Sequence, residues 1–299
     1  MKKSYLKYFA GLLLFGSNGV VASYIHLSSY EIVLLRSVLG MALLLALFFI
    51  TGHRVTALGH KKDLLFIALS GVAMAADWLL LFEAYAQIGV TLGMLINYTG
   101  PAIVIALSPL ILKERITPAK VISLIAALLG ACFISGQAVT TGLNVWGLLC
   151  AVLSAVAYAV MVLSNKMAKE ITGTENATIQ LLCTAIVVTI FVGCKQGLSM
   201  EIAPGDWPPI LMLGLINTGL GCYFYFSAMG NLPAQSVAIC GYLEPLFAVL
   251  LAGLILHERM TPLQVLGAVL IIGGAIFGEC YHRERGTAGK QETDAESIK

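Results

Sequence analysis

The chain has 299 residues, 59% of them hydrophobic and only 11% charged, with a formal net charge of +2. A soluble domain carries roughly 25% charged residues, so a freely soluble globular protein is excluded. No Lys/Arg-rich block with interleaved aromatics is present, so nothing in the charge pattern points to nucleic acid.

A bilayer core needs about 20 mostly apolar residues per helix. Ten such runs follow one another: 5–25, 30–51, 63–86, 90–112, 118–136, 145–165, 177–196, 207–229, 233–256 and 261–281. Length and not periodicity carries this reading, because helices buried in lipid and protein are apolar all round. Lys2, Lys3 and Lys7 precede the first run in the manner of a signal peptide, but the run is nearer a full span than a short leader core. It is read as a retained first helix. Residues 282–299 are polar and charged and are expected to form a disordered cytoplasmic tail.

Lysine and arginine set the orientation. With the N-terminus inside, fifteen of the eighteen fall on the cytoplasmic side, Lys195 and Arg259 fall outside, and Arg36 lies within a helix. Both termini are therefore expected in the cytoplasm, in a multi-pass protein of the cytoplasmic membrane.

The fourth and ninth runs contain the same stretch twice. Residues 98–118 (YTGPAIVIALSPLILKERITP) and 242–262 (YLEPLFAVLLAGLILHERMTP) agree at 10 of 21 positions at a constant offset of 144. The matches include Tyr98/Tyr242, Pro101/Pro245, Glu114/Glu258, Arg115/Arg259, Thr117/Thr261 and Pro118/Pro262. Internal repeats dictate architecture. Five helices per half is an odd number, so the second copy enters the membrane from the opposite side. The fold class expected is thus an all-α integral membrane protein: ten transmembrane helices as two inverted five-helix repeats, 1–138 and 139–281. Inverted repeats are a common construction in secondary transporters, where they surround a midplane site.

These two stretches resemble the drug/metabolite transporter superfamily, in particular its EamA-type members. The resemblance is carried by a Pro-bearing helix that ends in a Glu-Arg-(apolar)-Thr turn, followed by a Gly-containing helix. Here those are Pro101 to Thr117 with Gly130, and Pro245 to Thr261 with Gly267, Gly273 and Gly274. The resemblance covers about residues 5–281 and implies a ten-helix carrier, usually an exporter of small metabolites or amino acids.

In the two turns, Thr117 and Thr261 are placed as N-caps with Pro118 and Pro262 at the first helical position, where the missing N–H costs nothing. Glu114, Arg115, Glu258 and Arg259 lie at the interface and are read as capping and loop-anchoring groups. The intramembrane ionisable residues are Arg36, Asp77, Glu83 and Glu244, and such groups carry a functional hypothesis by default. Counting residues from helix ends brings Arg36 near the depth of Asp77 and Glu83, which predicts a pair between them, as a clasp or an outer gate. Glu244 directly precedes Pro245, and its repeat partner is Gly100 before Pro101. Proline removes a backbone hydrogen bond and disfavours helical geometry at the residue before it. Helix breaks at Pro101 and Pro245 would line a protein-enclosed cavity, with Glu244 there to bind a substrate amine or carry a coupling proton.

Asn97, Tyr98 and Tyr242 surround the same breaks. Trp78, Phe82 and Tyr85 form an aromatic stripe, of which Trp78 lies nearest midplane. On the resemblance, which places the cavity among helices 1, 3, 4, 6, 8 and 9, Asn18, Tyr158, Asn217 and Tyr225 join the candidates.

The seven cysteines have no CxxC spacing and are read as packing residues. Neither a metal site nor a cofactor motif is present, and with no nucleotide site transport would be driven by gradients. The partners expected are a small-molecule substrate, membrane lipid and a coupling proton, in a monomer or homodimer. A membrane-embedded enzyme and a passive facilitator or channel are the competing readings.

Overall fold

The computed structural model describes residues 2–52, 55–135, 144–255 and 261–277. Glu258, Arg259 and the 282–299 tail, all named above, lie outside the described residues. The described residues are helical throughout, joined by turns, with no strand. In chain order the helices are α1 (Lys2–Gly16), α2 (Asn18–Ala22), α3 (Ser29–Ile50), α4 (Lys61–Ile88), α5 (Val90–Asn97), α6 (Gly100–Ile111) and α7 (Pro118–Ser135). After these come α8 (Val145–Met167), α9 (Gly173–Gln196), α10 (Trp207–Leu211), a π-helical stretch (Met212–Leu220), α11 (Gly221–Met229), α12 (Ala234–Gly241), α13 (Leu243–Ile255) and α14 (262–277).

Seven of these segments are long and apolar enough to cross a membrane, and 118–133 and 262–277 are shorter apolar helices. The surface agrees with a lipid solvent: Leu110 and Leu254, equivalent under the repeat, are 79% and 73% exposed. Water would penalise such a surface, whereas hydrocarbon does not.

Local chemistry fixes the helix ends. At the start of α3, Glu31 N–H donates to Ser28 Oγ and Ser28 N–H donates to Glu31 Oε2, a reciprocal capping box. Asn144 Oδ1 accepts from Trp146 N–H at 2.9 Å to cap α8. Thr117 Oγ1 accepts from Lys120 N–H at 3.4 Å, and Thr261 Oγ1 accepts from Gln264 N–H at 3.3 Å. The two repeated threonines therefore begin α7 and α14.

α4 packs along α8 and against α9, α3 lies on α9 and the π-helical stretch, and α1 lies on α11 and α13. α7 and α14 approach backbone to backbone. A Cβ on Gly130 would come within 2.6 Å of Gly267 O, and one on Gly274 within 3.1 Å of Ser123 O. Small residues permit such approach where apolar lipid supplies no drive for helix association.

Four segments differ from their expected form. Run 5–25 is interrupted at Ser17, between α1 and α2. Run 207–229 contains the π-helical turns. Runs 90–112 and 233–256 do break, but at Tyr98–Thr99 and at Tyr242, ahead of the prolines. Pro101 and Pro245 instead sit in the first turns of α6 and α13, where a missing N–H is tolerated.

Candidate functional site

α5 spans 90–97 and α12 spans 234–241, an offset of 144 at both ends. Each is followed by its repeated tyrosine as C-cap, Tyr98 and Tyr242. The two breaks meet: Tyr242 Oη donates to Tyr98 O at 2.6 Å, and the ring centroids lie 6.4 Å apart.

Beside this junction lies a cavity of about 630 Å³. Its wall includes Asn18, Trp78, Asn97, Tyr98, Tyr158, Tyr225, Tyr242 and Glu244, together with Arg36, Asp77 and Pro101. It reaches the exposed residues Gly19, Ser29 and Ala86 at one end. A volume of this order suits a small ligand.

The opposite end is tied shut. Tyr8 Oη donates to Val237 O at 2.8 Å, and Tyr158 and Tyr225 hydroxyls stand 3.5 Å apart on the cavity floor. Further out, Lys166 Nζ donates to the carbonyls of Met229, Gly230 and Leu232. Glu114 accepts from Ala234 N–H at 2.7 Å and Gln235 N–H at 3.2 Å. A carboxylate on two free N–H groups at a helix N-terminus satisfies both and complements the helix dipole. Glu114 therefore holds α12 in place. At the same end Glu175 accepts from the backbone N–H groups of Thr56 and Ala57, and Asp63 from those of Lys169 and Glu170.

The cavity's charged groups are not paired as the sequence suggested. Arg36 makes no ion pair with Asp77 or Glu83. Its Nε donates to Thr218 Oγ1 at 3.0 Å, and its Cζ lies 4.3 Å from the centroid of the Trp78 ring. Asp77 instead accepts from Asn97 Nδ2 at 2.9 Å, and that amide also donates to Ser154 Oγ at 3.0 Å. Glu83 lies outside the cavity wall, ion-paired with Lys195 at 2.9 Å and hydrogen-bonded by Tyr30. Counting residues from helix ends compares depth and carries no information on which way each side chain points around its helix.

Glu244 lines the cavity with no hydrogen bond or ion pair among the described residues. Its repeat partner Gly100 has no room for a side chain: a Cβ there would lie 2.8 Å from Tyr158 Cδ1 and 3.0 Å from Ala155 O. The mismatch between the copies therefore has a packing cause.

Asn217 is not on the wall. It is buried in the π-helical stretch, and its Nδ2 lies at 3.1, 2.7 and 3.2 Å from Leu14 O, Ser17 Oγ and Asn18 Oδ1. It ties down the interruption in the first run. Pro245 is buried in α13 beside the cavity and not on its wall. Sequence reasoning missed Thr218, whose role depends on π-helical turns that no sequence pattern signalled. Tyr85 was visible in the aromatic stripe and does line the cavity.

A multi-pass helical bundle with a largely apolar cavity that holds a few charged groups at paired helix breaks defines the class of membrane transport proteins. The chain belongs to the EamA-like transporter family, whose model matches residues 2–136 and again 145–277. It is a member of the drug/metabolite transporter superfamily. It is 25% identical over 98% of its length to the uncharacterized transporter YxxF of Bacillus subtilis, covering 94% of that protein. It is 28% identical to the aromatic amino acid exporter YddG of Ancylobacter novellus, over 35% of this chain and 38% of that one. One solved structure superposes with a TM-score of 0.82 at 18% identity, covering 95% of this chain and 99% of the other, a likeness of fold alone.

Proposed function

We propose that this chain is a secondary carrier that exports amino acids or similar small metabolites across the cytoplasmic membrane by alternating access. In this reading the helices form ten spans in two inverted five-helix repeats with both termini cytoplasmic, and the cavity is the substrate site. The observation that carries it is the pair of breaks at Tyr98 and Tyr242, in register at an offset of 144, beside a cavity that holds Arg36, Asp77 and Glu244. Broken helices at a repeat interface supply polar groups at membrane depth and hinges for the two halves. Under the expected topology the open end faces outward, and the ties at Glu114, Tyr8 and Lys166 close the cytoplasmic side.

In this reading Glu244 binds a substrate amine or carries a coupling proton. The likeness to an aromatic amino acid exporter supports an amino-acid substrate, as do the tyrosines and Trp78 on the wall. The closed end disfavours a continuous channel. An enzyme is disfavoured because Glu83 stands apart from Asp77 and Glu244.

A thermal-shift screen of amino acids and related metabolites on the purified protein tests the reading. Stabilisation by one or more amino acids, lost when the cavity is narrowed by Gly241→Phe, is expected. No stabilisation by any compound of the screen would contradict it.

A further inference from the structure

We propose that Arg36 is the receptor for a carboxylate on the transported solute, so that the cavity selects zwitterions and rejects the corresponding amines. The inference rests on the cavity being the transport site.

Arg36 is 7% exposed, two turns into the apolar helix α3. A guanidinium stays protonated in proteins, so its charge must be met locally. Two of its faces are already fixed. Nε donates to Thr218 Oγ1, and Thr218 Oγ1 in turn donates to Leu213 O at 2.8 Å, five residues back in the π-helical stretch. The flat face rests on the Trp78 ring. These contacts orient the group without neutralising it. Among the described residues no carboxylate lies within ion-pair distance, and the two terminal nitrogens make no hydrogen bond.

The edge left over is the forked one. Two parallel N–H groups match the two oxygens of a carboxylate, a geometry lysine does not offer. The two acids that the sequence paired with it do not compete for it: Asp77 is engaged by Asn97, and Glu83, off the cavity wall, by Lys195 and Tyr30. Glu244 lines the same cavity and attracts Arg36 through space, but makes no hydrogen bond or ion pair among the described residues. A solute with a carboxylate and an ammonium would satisfy both groups at once. An amine alone would leave the guanidinium buried and uncompensated, and an uncompensated buried charge is costly.

The test uses the full chain in proteoliposomes with matched probes: phenylalanine and leucine against their decarboxylated counterparts, phenethylamine and isoamylamine. Competition against labelled amino-acid counterflow gives an apparent affinity for each. The wild type is expected to prefer each amino acid over its amine by about 30-fold or more. In Arg36→Met the ratio should fall to near one, and in Arg36→Lys, which keeps the charge but loses the fork, to an intermediate value. A wild type that binds amine and amino acid alike overturns the proposal, and so does an Arg36→Met protein that still discriminates. If Arg36→Met is not recovered folded, the wild-type ratio and Arg36→Lys decide. A wild type that handles none of the four probes in the thermal screen or in counterflow removes the transport-site reading itself, an outcome distinct from amino-acid transport that ignores Arg36.

Discussion

Tyr242 Oη donates to the carbonyl of Tyr98 at 2.6 Å, so the matched tyrosines of the two copies meet across the centre of the molecule. Each ends a half-helix. The side chain of one copy thus satisfies a backbone acceptor at the break of the other.

The bond is directional, which gives an unequal pair of variants. Tyr242→Phe should lower the melting temperature by roughly 2–4 °C, because a net hydrogen bond is worth about 1 kcal/mol. Tyr98→Phe keeps the bond, since Tyr98 contributes its carbonyl, and should shift it less. Differential scanning fluorimetry in detergent compares them. Equal losses would show that the ring contacts and not the hydrogen bond hold the junction.

Gly100 and Glu244 occupy the same position in the two copies, and only one has room. Gly100→Ala should destabilise by about 1–3 kcal/mol, the usual cost of overpacking, because its Cβ would press on Tyr158 and on the Ala155 carbonyl. Gly100→Glu, which makes the copies alike, should fail to yield a monodisperse protein. Its recovery at wild-type level in size-exclusion chromatography would remove the packing explanation.

Lys195 and Glu83 form an ion pair at the open end, with side chains 41% and 19% exposed. Exposed pairs contribute about 0.2–1 kcal/mol. Lys195→Met should therefore leave transport within about twofold of wild type. A larger loss in a proteoliposome assay would restore the gate that the sequence suggested for Glu83.

Glu114 joins the first repeat to the start of α12. Glu114→Ala frees two N–H groups and should cost about 0.5–2 kcal/mol, as a lost helix cap does. It should also loosen the closed end, so that hydrogen exchange quickens at 234–241. Unchanged exchange there would mean that Lys166 and Tyr8 hold the closure alone.

Much of this was legible in the sequence. Length and charge gave the apolar spans, and the Tyr, Pro, Glu and Thr matches marked where the copies correspond. Proline drew attention to the right helices but three residues late, because it is tolerated in a helix's first turn and the break falls before that turn. Arg36 was mispaired because counting along a helix gives depth but not azimuth. Only the packing of α3 on the π-helical stretch places it against Thr218. Asn217 was a cavity candidate because the resemblance puts its helix around the cavity, yet its amide faces the interruption at Ser17.

The central claim is that Glu244 and the broken helices form the site of an alternating-access carrier. Counterflow tests it most directly: proteoliposomes loaded with unlabelled amino acid are diluted into a trace of labelled amino acid, for wild type and Glu244→Gln. The wild type should show a transient overshoot of label, and Glu244→Gln should fall to about a tenth of it or less. Label that only equilibrates, or an overshoot undiminished in Glu244→Gln, would contradict the account.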